Sequence, residues 1–140
     1  MFSNFFSKTK YNKHKLLKKR LNMYEVKTEA HFSSAHRLLN YEGKCENLHG
    51  HNWKVEVYAQ GEQLDKSNIL IDFKLLKKVL NEVLETLDHK VLNELDCFTT
   101  QSPSSETIAR YIYEQIKNQI PQITKVCVWE TPTSCAAYWE

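Results

Sequence analysis

A chain of 140 residues with 41% hydrophobic and 26% charged side chains has the size and balance of one soluble domain, able to bury a core without disulfides or a structural metal. No apolar run approaches the roughly 18 residues that span a bilayer, so a membrane-embedded role is not expected. The formal net charge is +2, but Lys8, Lys10, Lys13, Lys15, Lys18, Lys19 and Arg20 stand in an acid-free stretch before Met23 and leave the remainder net negative by five. That split speaks against nucleic-acid binding by the folded part, because phosphate affinity needs basic residues arranged on a folded face.

Residues 1–22 read as a basic N-terminal extension, and blocks of like charge tend to be disordered. They are a solvated tail or leader codons upstream of a true start at Met23; for a targeting peptide they are poor in Arg and Ser. A single domain is expected over 23–140. The four cysteines, Cys45, Cys97, Cys127 and Cys135, have no C-x-x-C spacing and follow nothing that resembles a signal peptide. This points to a reducing, cytoplasmic location and away from a disulfide framework or an all-thiolate zinc site.

From Tyr24 the chain alternates, with Tyr24, Val26, Thr28, Ala30 and Phe32 on one side and Glu25, Lys27, Glu29 and His31 on the other, the pattern of a half-buried strand. After a polar loop with Asn40, Glu42 and Gly43, the period of two returns at Trp53, Val55, Val57 and Ala59, and this second strand ends near Gly61. Phe73, Leu76, Leu80, Val83, Leu84 and Leu87 then recur at helical steps, with Asp72 as the N-cap. A second helix is expected from about Ser102–Ser105, with Ile108, Ile112, Ile116 and Ile120 as a core stripe, stopping before Pro121. Val126, Val128 and Trp129 mark a third strand, Thr131 to Ser134 a turn, and Ala136 to Trp139 a short fourth strand. The order ββααββ predicts an α+β domain, an antiparallel four-stranded sheet with two helices on one face.

His49-Gly50-His51 sits where the second strand begins, and residues two apart on a strand project to the same face. Their parity matches Trp53 and Val55, the buried side, and Gly50 is expected to remove bulk between them. His36 lies just past the first strand, which antiparallel pairing brings beside the second. Three imidazoles then face one point, and three His ligands with a free fourth position make a catalytic zinc site, whereas structural zinc is normally closed by four protein ligands. Taken in isolation, His-x-His is a weak metal signal and more often a pair of satisfied core histidines.

The runs Phe32-Ser33-Ser34-Ala35-His36-Arg37-Leu38 and Cys45-Glu46-Asn47-Leu48-His49-Gly50-His51 resemble the 6-pyruvoyl-tetrahydropterin synthase superfamily, and within it the 6-carboxy-5,6,7,8-tetrahydropterin synthases. The resemblance continues through Ile71-Asp72-Phe73, Leu87-Asp88-His89, Leu92-Asn93 and Glu130-Thr131. The carboxy-forming members carry C-x-x-x-H-G-H, which Cys45 fits, and the pyruvoyl-forming members have a longer insertion there. A variant of the family has Glu in place of this Cys, and here Glu46 is one position off. Two departures stand out: the usual Asn-Pro-Thr before the second helix is Ser102-Pro103-Ser104, and Trp129 stands where Lys is frequent.

What the resemblance implies is a zinc-dependent carbon-carbon lyase of queuosine (7-deazapurine) biosynthesis that takes 7,8-dihydroneopterin triphosphate to 6-carboxytetrahydropterin, acetaldehyde and triphosphate. One Zn2+ per subunit would be held by His36, His49 and His51 and would stabilise a developing enolate. Cys45, its thiolate favoured by the nearby cation, would be the general base, with Asp88 and His89 relaying a proton. Glu130 would anchor the guanidine-like edge of the pterin. Arg37, Lys44 and Lys90 are the cations nearest the motifs for the triphosphate. Cys97, Cys127 and Cys135 are read as small buried hydrophobes. The implied tunnelling fold pairs subunit sheets into a barrel, giving a homo-oligomer, hexamer or tetramer, with active sites at subunit interfaces where Asp88 and His89 arrive. The alternatives are a pyruvoyl-forming or related pterin side-chain lyase and, from another class, a non-catalytic zinc- or pterin-binding protein.

Overall fold

The computed structural model describes residues 22–140, apart from the side chain of Cys45. The basic extension expected over residues 1–22 lies, but for Asn22, outside the described residues. The elements run β1 (Tyr24–His36), β2 (His49–Gly61), α1 (Phe73–Glu85), α2 (Ser105–Lys117), β3 (Ile123–Thr131) and β4 (Ser134–Trp139). All neighbours in the sheet order β1-β2-β3-β4 are antiparallel, so the α+β, ββααββ expectation holds.

The period-two pattern does the sorting. In β1 the side chains of Phe32, Ser34 and His36 are buried while those of Lys27, Glu29 and His31 are exposed, and β2 buries Trp53, Val55, Val57 and Ala59 completely. β1 is longer than expected: His36 is its last residue, not the first of the following loop. The β1–β2 ladder pairs every residue from Tyr24 with Gly61 to His36 with His49.

The helices cover the apolar face through Leu76, Leu80, Val83 and Leu84 of α1 and Ile108, Ile112 and Ile116 of α2. Asp72 caps α1 by accepting from the Lys74 N–H at 2.8 Å, and the Ser104 hydroxyl accepts from the Thr107 N–H at the start of α2. Ile120, also in the expected stripe, is buried from the loop beyond α2. Phe73, the first residue of α1, departs from the expected stripe: it is 59% exposed. Between the helices lie two short 3₁₀ turns, Leu92–Glu94 and Asp96–Phe98, which the periodicity does not reveal.

The opposite face of the sheet carries charge in place of an apolar layer. Glu56 is buried there and accepts from Lys27 at 3.1 Å, Lys54 at 3.2 Å, the Tyr58 hydroxyl at 3.2 Å and Trp129 Nε1 at 3.1 Å. Burial by itself pushes the Glu56 carboxyl up, but the hydrogen bonds from Trp129, Lys27 and Lys54 more than offset it and hold it down at about 2. Cys127, on this face, is buried as expected, Cys97 is half-buried, and Cys135, on the edge strand, is exposed, contrary to the expectation of a buried thiol.

Two measurements check this packing. Chemical denaturation is expected to show Ile112→Ala losing about 2–5 kcal/mol and Asp72→Ala about 1 kcal/mol. Because Glu56 titrates lower in the folded than in the unfolded chain, its stabilisation is complete above its ordinary value of 4.5 and is lost as pH falls towards about 2. Wild type should therefore lose more stability over that window than Glu56→Gln, and parallel curves for the two would refute the assignment.

Candidate metal centre

Strand register builds the site. His36 and His49 are direct cross-strand partners and His51 lies opposite Ser34, so all three imidazoles project from the inner face just beyond Trp53. The rings stand edge to face, with centroids 4.6, 5.2 and 4.8 Å apart. A Cβ added at Gly50 would meet only the Ser34 carbonyl oxygen, at an ordinary 3.8 Å. The glycine is thus not needed to make room between the rings, which lie on the face away from it.

Glu130 completes the cluster. Its Oε1 lies 3.2 Å from His36 Nε2 and 2.9 Å from His51 Nε2, and one ligand atom from each of the four residues falls within 4.8 Å of the others. Glu130 sits where the β3–β4 ladder breaks register, between the pairs Trp129–Cys135 and Thr131–Ser134, and such a bulge re-aims a side chain. The same carboxylate, with His36, Tyr41, Ser104, Ser105 and Glu106, lines a cavity of about 330 Å³.

The hydrogen bonds around the rings decide their tautomers. His36 Nδ1–H donates to the Pro103 carbonyl at 2.7 Å, and His49 Nδ1–H donates to the Asn47 carbonyl at 2.7 Å. A carbonyl only accepts, so each Nδ1 carries the proton and each neutral ring turns an Nε2 lone pair inward. Those two Nε2 atoms are 3.0 Å apart, a repulsive arrangement unless a cation or a shared proton lies between them. His51 Nε2 is buried and, despite its closeness to Glu130, makes no hydrogen bond. Burial holds the His51 imidazole below its usual range, reinforced by His36 and His49 and opposed by the Glu130 charge, which favours the neutral form that ligates metals. Ligand atoms placed tetrahedrally at 2.0–2.1 Å from one zinc ion sit about 3.4 Å apart, close to the separations seen here. Three imidazoles and a carboxylate oxygen fit a divalent first-row cation.

The remaining predicted residues are placed as follows. Asp88 and His89 turn onto the outer edge of β1: the Ser33 N–H donates to Asp88 Oδ1 at 2.8 Å, His89 N–H to the Ser33 carbonyl at 2.6 Å, and His89 Nδ1–H to Asp88 Oδ2 at 2.7 Å. The Ser33 N–H, then His89, hold the Asp88 carboxyl below the usual carboxylate range. His89 adopts φ 53°, and its side chain, 83% exposed, points to solvent and stands apart from the histidine cluster. Cys45 lies on a 3₁₀ turn, Lys44–Glu46, leading into β2, and its side chain is outside the described residues. Arg37, Lys44 and Lys90 are exposed, and none of them lines the cavity beside the histidines. Sequence reasoning missed the carbonyls of Asn47 and Pro103, which leave no periodic or motif signal, and it missed that Glu130 touches the histidines, although Glu130 continues the period-two series of buried Val126 and Val128.

A family model described as 6-pyruvoyl tetrahydropterin synthase matches residues 25–140. The chain is 36% identical over 123 residues to a 6-carboxy-5,6,7,8-tetrahydropterin synthase of Synechocystis sp., covering 84% of this chain and 94% of that one. It is also 36% identical over 104 residues to a dihydroneopterin monophosphate aldolase of Pyrococcus furiosus, covering 72% and 84%. Among solved structures, that of Caenorhabditis elegans 6-pyruvoyl tetrahydropterin synthase superposes with a TM-score of 0.79 at 31% identity, covering 86% of this chain and 98% of that one.

If the four-residue cluster is a metal centre, His49→Ala is expected to weaken zinc binding by at least about 100-fold, more than loss of an outer partner does. Elemental analysis after dialysis against a chelator of graded strength reads it, and wild-type zinc retention in the variant would refute it.

Proposed function

This chain belongs to the 6-pyruvoyl tetrahydropterin synthase family, and we propose that within it the chain is a zinc-dependent lyase converting 7,8-dihydroneopterin triphosphate and water to 6-carboxy-5,6,7,8-tetrahydropterin, acetaldehyde and triphosphate. Cys45 carries this reading: it stands four residues before His49, in the C-x-x-x-H-G-H spacing of the carboxy-forming members, on the turn that runs into the histidine cluster. Queuosine biosynthesis in the cytoplasm is the corresponding context. No helix among the described residues is long and apolar enough to cross a membrane.

In this reading His36, His49 and His51 hold one Zn2+, which supplies Lewis acidity toward oxygens of the substrate side chain. Pro103 and Asn47 keep two of those imidazoles in the ligating tautomer. In this reading Glu130, at the wall of the cavity, is not a fourth ligand: it leaves that position open and accepts paired hydrogen bonds from the guanidine-like edge of the pterin. Cys45 takes a proton from the substrate side chain, and His89, held by Asp88 at 2.7 Å, returns one. The resemblance implies a homo-oligomer, hexamer or tetramer, in which His89 serves the cavity of a neighbouring subunit, and its outward position at the edge of β1 supports this. Arg37, Lys44 and Lys90 supply positive charge for the triphosphate from the surrounding surface.

Mass spectrometry of the products from 7,8-dihydroneopterin triphosphate tests the reading. A carboxylated tetrahydropterin with acetaldehyde is expected; a pyruvoyl product, an aldolase cleavage product or no turnover would each overturn it. Cys45→Ala should retain zinc and lose turnover by about 10²–10⁴-fold, the range for removal of a general base. Full zinc with unchanged turnover would remove Cys45 from its role.

A further inference from the structure

The loop between β1 and β2 has little of its own to hold it in place. Residues 39–44 and 46–48 are all exposed, so no apolar burial fixes them. The backbone hydrogen bonds within the loop, Glu46 N–H to the Gly43 carbonyl and Asn47 N–H to the Lys44 carbonyl, are local and leave its position over the cavity free. Yet this loop carries Cys45 and the Asn47 carbonyl that sets the tautomer of His49, and its Tyr41 lines the cavity.

Two side chains from distant parts of the chain grip the stalk of the loop. Asn93 makes a pair of hydrogen bonds to one residue: the Arg37 N–H donates to its Oδ1 at 2.9 Å, and its Nδ2 donates to the Arg37 carbonyl at 2.9 Å. Asn93 is itself fixed by its neighbour Leu92, which is fully buried in the core. Two residues further along, the Leu39 N–H donates to Ser102 Oγ at 2.7 Å, and that hydroxyl lies 3.5 Å from the Leu39 carbonyl. The Ser102 carbonyl in turn accepts from Ser104 N–H at 2.9 Å and from the Thr107 hydroxyl at 2.7 Å, locking it to the start of α2. The next residue, Pro103, accepts from His36. One short segment thus touches a metal-ligand candidate, the helix start and the loop stalk.

We propose that Ser102 and Asn93 are positioning residues: by clamping the backbone of residues 37 and 39 they set where the Cys45 loop sits relative to the histidine cluster. The catalytic consequence rests on the lyase reading above; the clamp itself does not. Loosening the stalk moves the base relative to the substrate while the three imidazoles stay on their paired strands, so in zinc-saturated protein it should act on kcat. A displacement of about 1 Å can cost up to about 100-fold in rate.

The test compares wild type with Ser102→Ala, Asn93→Ala and Ser102→Asn, the last restoring an acceptor for the Leu39 N–H. Each is assayed for zinc content, for kcat and KM on 7,8-dihydroneopterin triphosphate, and, without substrate, for the rate of Cys45 alkylation by iodoacetamide, followed on the Cys45 peptide by mass spectrometry. Loaded with zinc, the alanine variants should lose kcat by about 10-fold and alkylate at least about threefold faster as the loop that carries Cys45 is freed; Ser102→Asn should recover most of both. Wild-type kcat and alkylation in both alanine variants would overturn the proposal. So would losses that track zinc and are not recovered by Ser102→Asn, since those mark general destabilisation. Should one alanine variant fail to fold, the other decides. If wild type itself shows no turnover, the lyase reading fails, and the alkylation rates alone decide whether the clamp exists.

Discussion

The alignment of β1 on β2 is the constraint from which the site follows. Thirteen successive pairs, from Tyr24 with Gly61 to His36 with His49, put Phe32 and His36 on the same face as His49, His51 and Trp53. A slip of one residue would turn β1 over and carry His36 to the charged face. What prevents the slip is the core: Trp53 and Val55 are fully buried against the helices, and Trp53 Nε1 donates to the Ser34 carbonyl across the two strands. The packing that stabilises the fold is therefore the same packing that brings the imidazoles together.

Convergence of this kind has an electrostatic cost. Two inward lone pairs 3.0 Å apart, a third imidazole held neutral by burial and a carboxylate within 3.2 Å repel one another unless positive charge lies among them. The carbonyls of Pro103 and Asn47 sharpen the problem, because they commit the ring protons outward. A polar cluster with this donor pattern is poorly explained as satisfied core histidines, since a satisfied core would turn donors toward acceptors. It is well explained as a ligand set whose outer partners fix its orientation.

The other face of the sheet handles charge in the opposite way. Glu56 is buried but surrounded by donors, so its ionised form is the stable one. Trp129 takes part in both designs: its Nε1 donates to Glu56 on one face, while the next residue, Glu130, reaches the histidines on the other through the break in ladder register. Lys54, itself a donor to Glu56, lies over the Trp129 ring at 4.6 Å.

Period-two alternation, helical spacing and cap residues were enough to read the four strands, the two helices and the buried face from sequence, because each is a local pattern that burial imposes residue by residue. The His-x-His pair was legible for the same reason, being fixed by short spacing on one strand. Phe73 and the end of β1 were misjudged, since both lie at element ends, where a periodic pattern no longer fixes burial or boundary. Tertiary structure alone decided that Glu130 meets the histidines, that Pro103 and Asn47 set their tautomers, and that Asn93 and Ser102 hold the loop. His36 and Pro103 are 67 residues apart, and Arg37 and Asn93 are 56; contacts between such distant residues have no period and no motif, and exist only once the sheet and helices have packed.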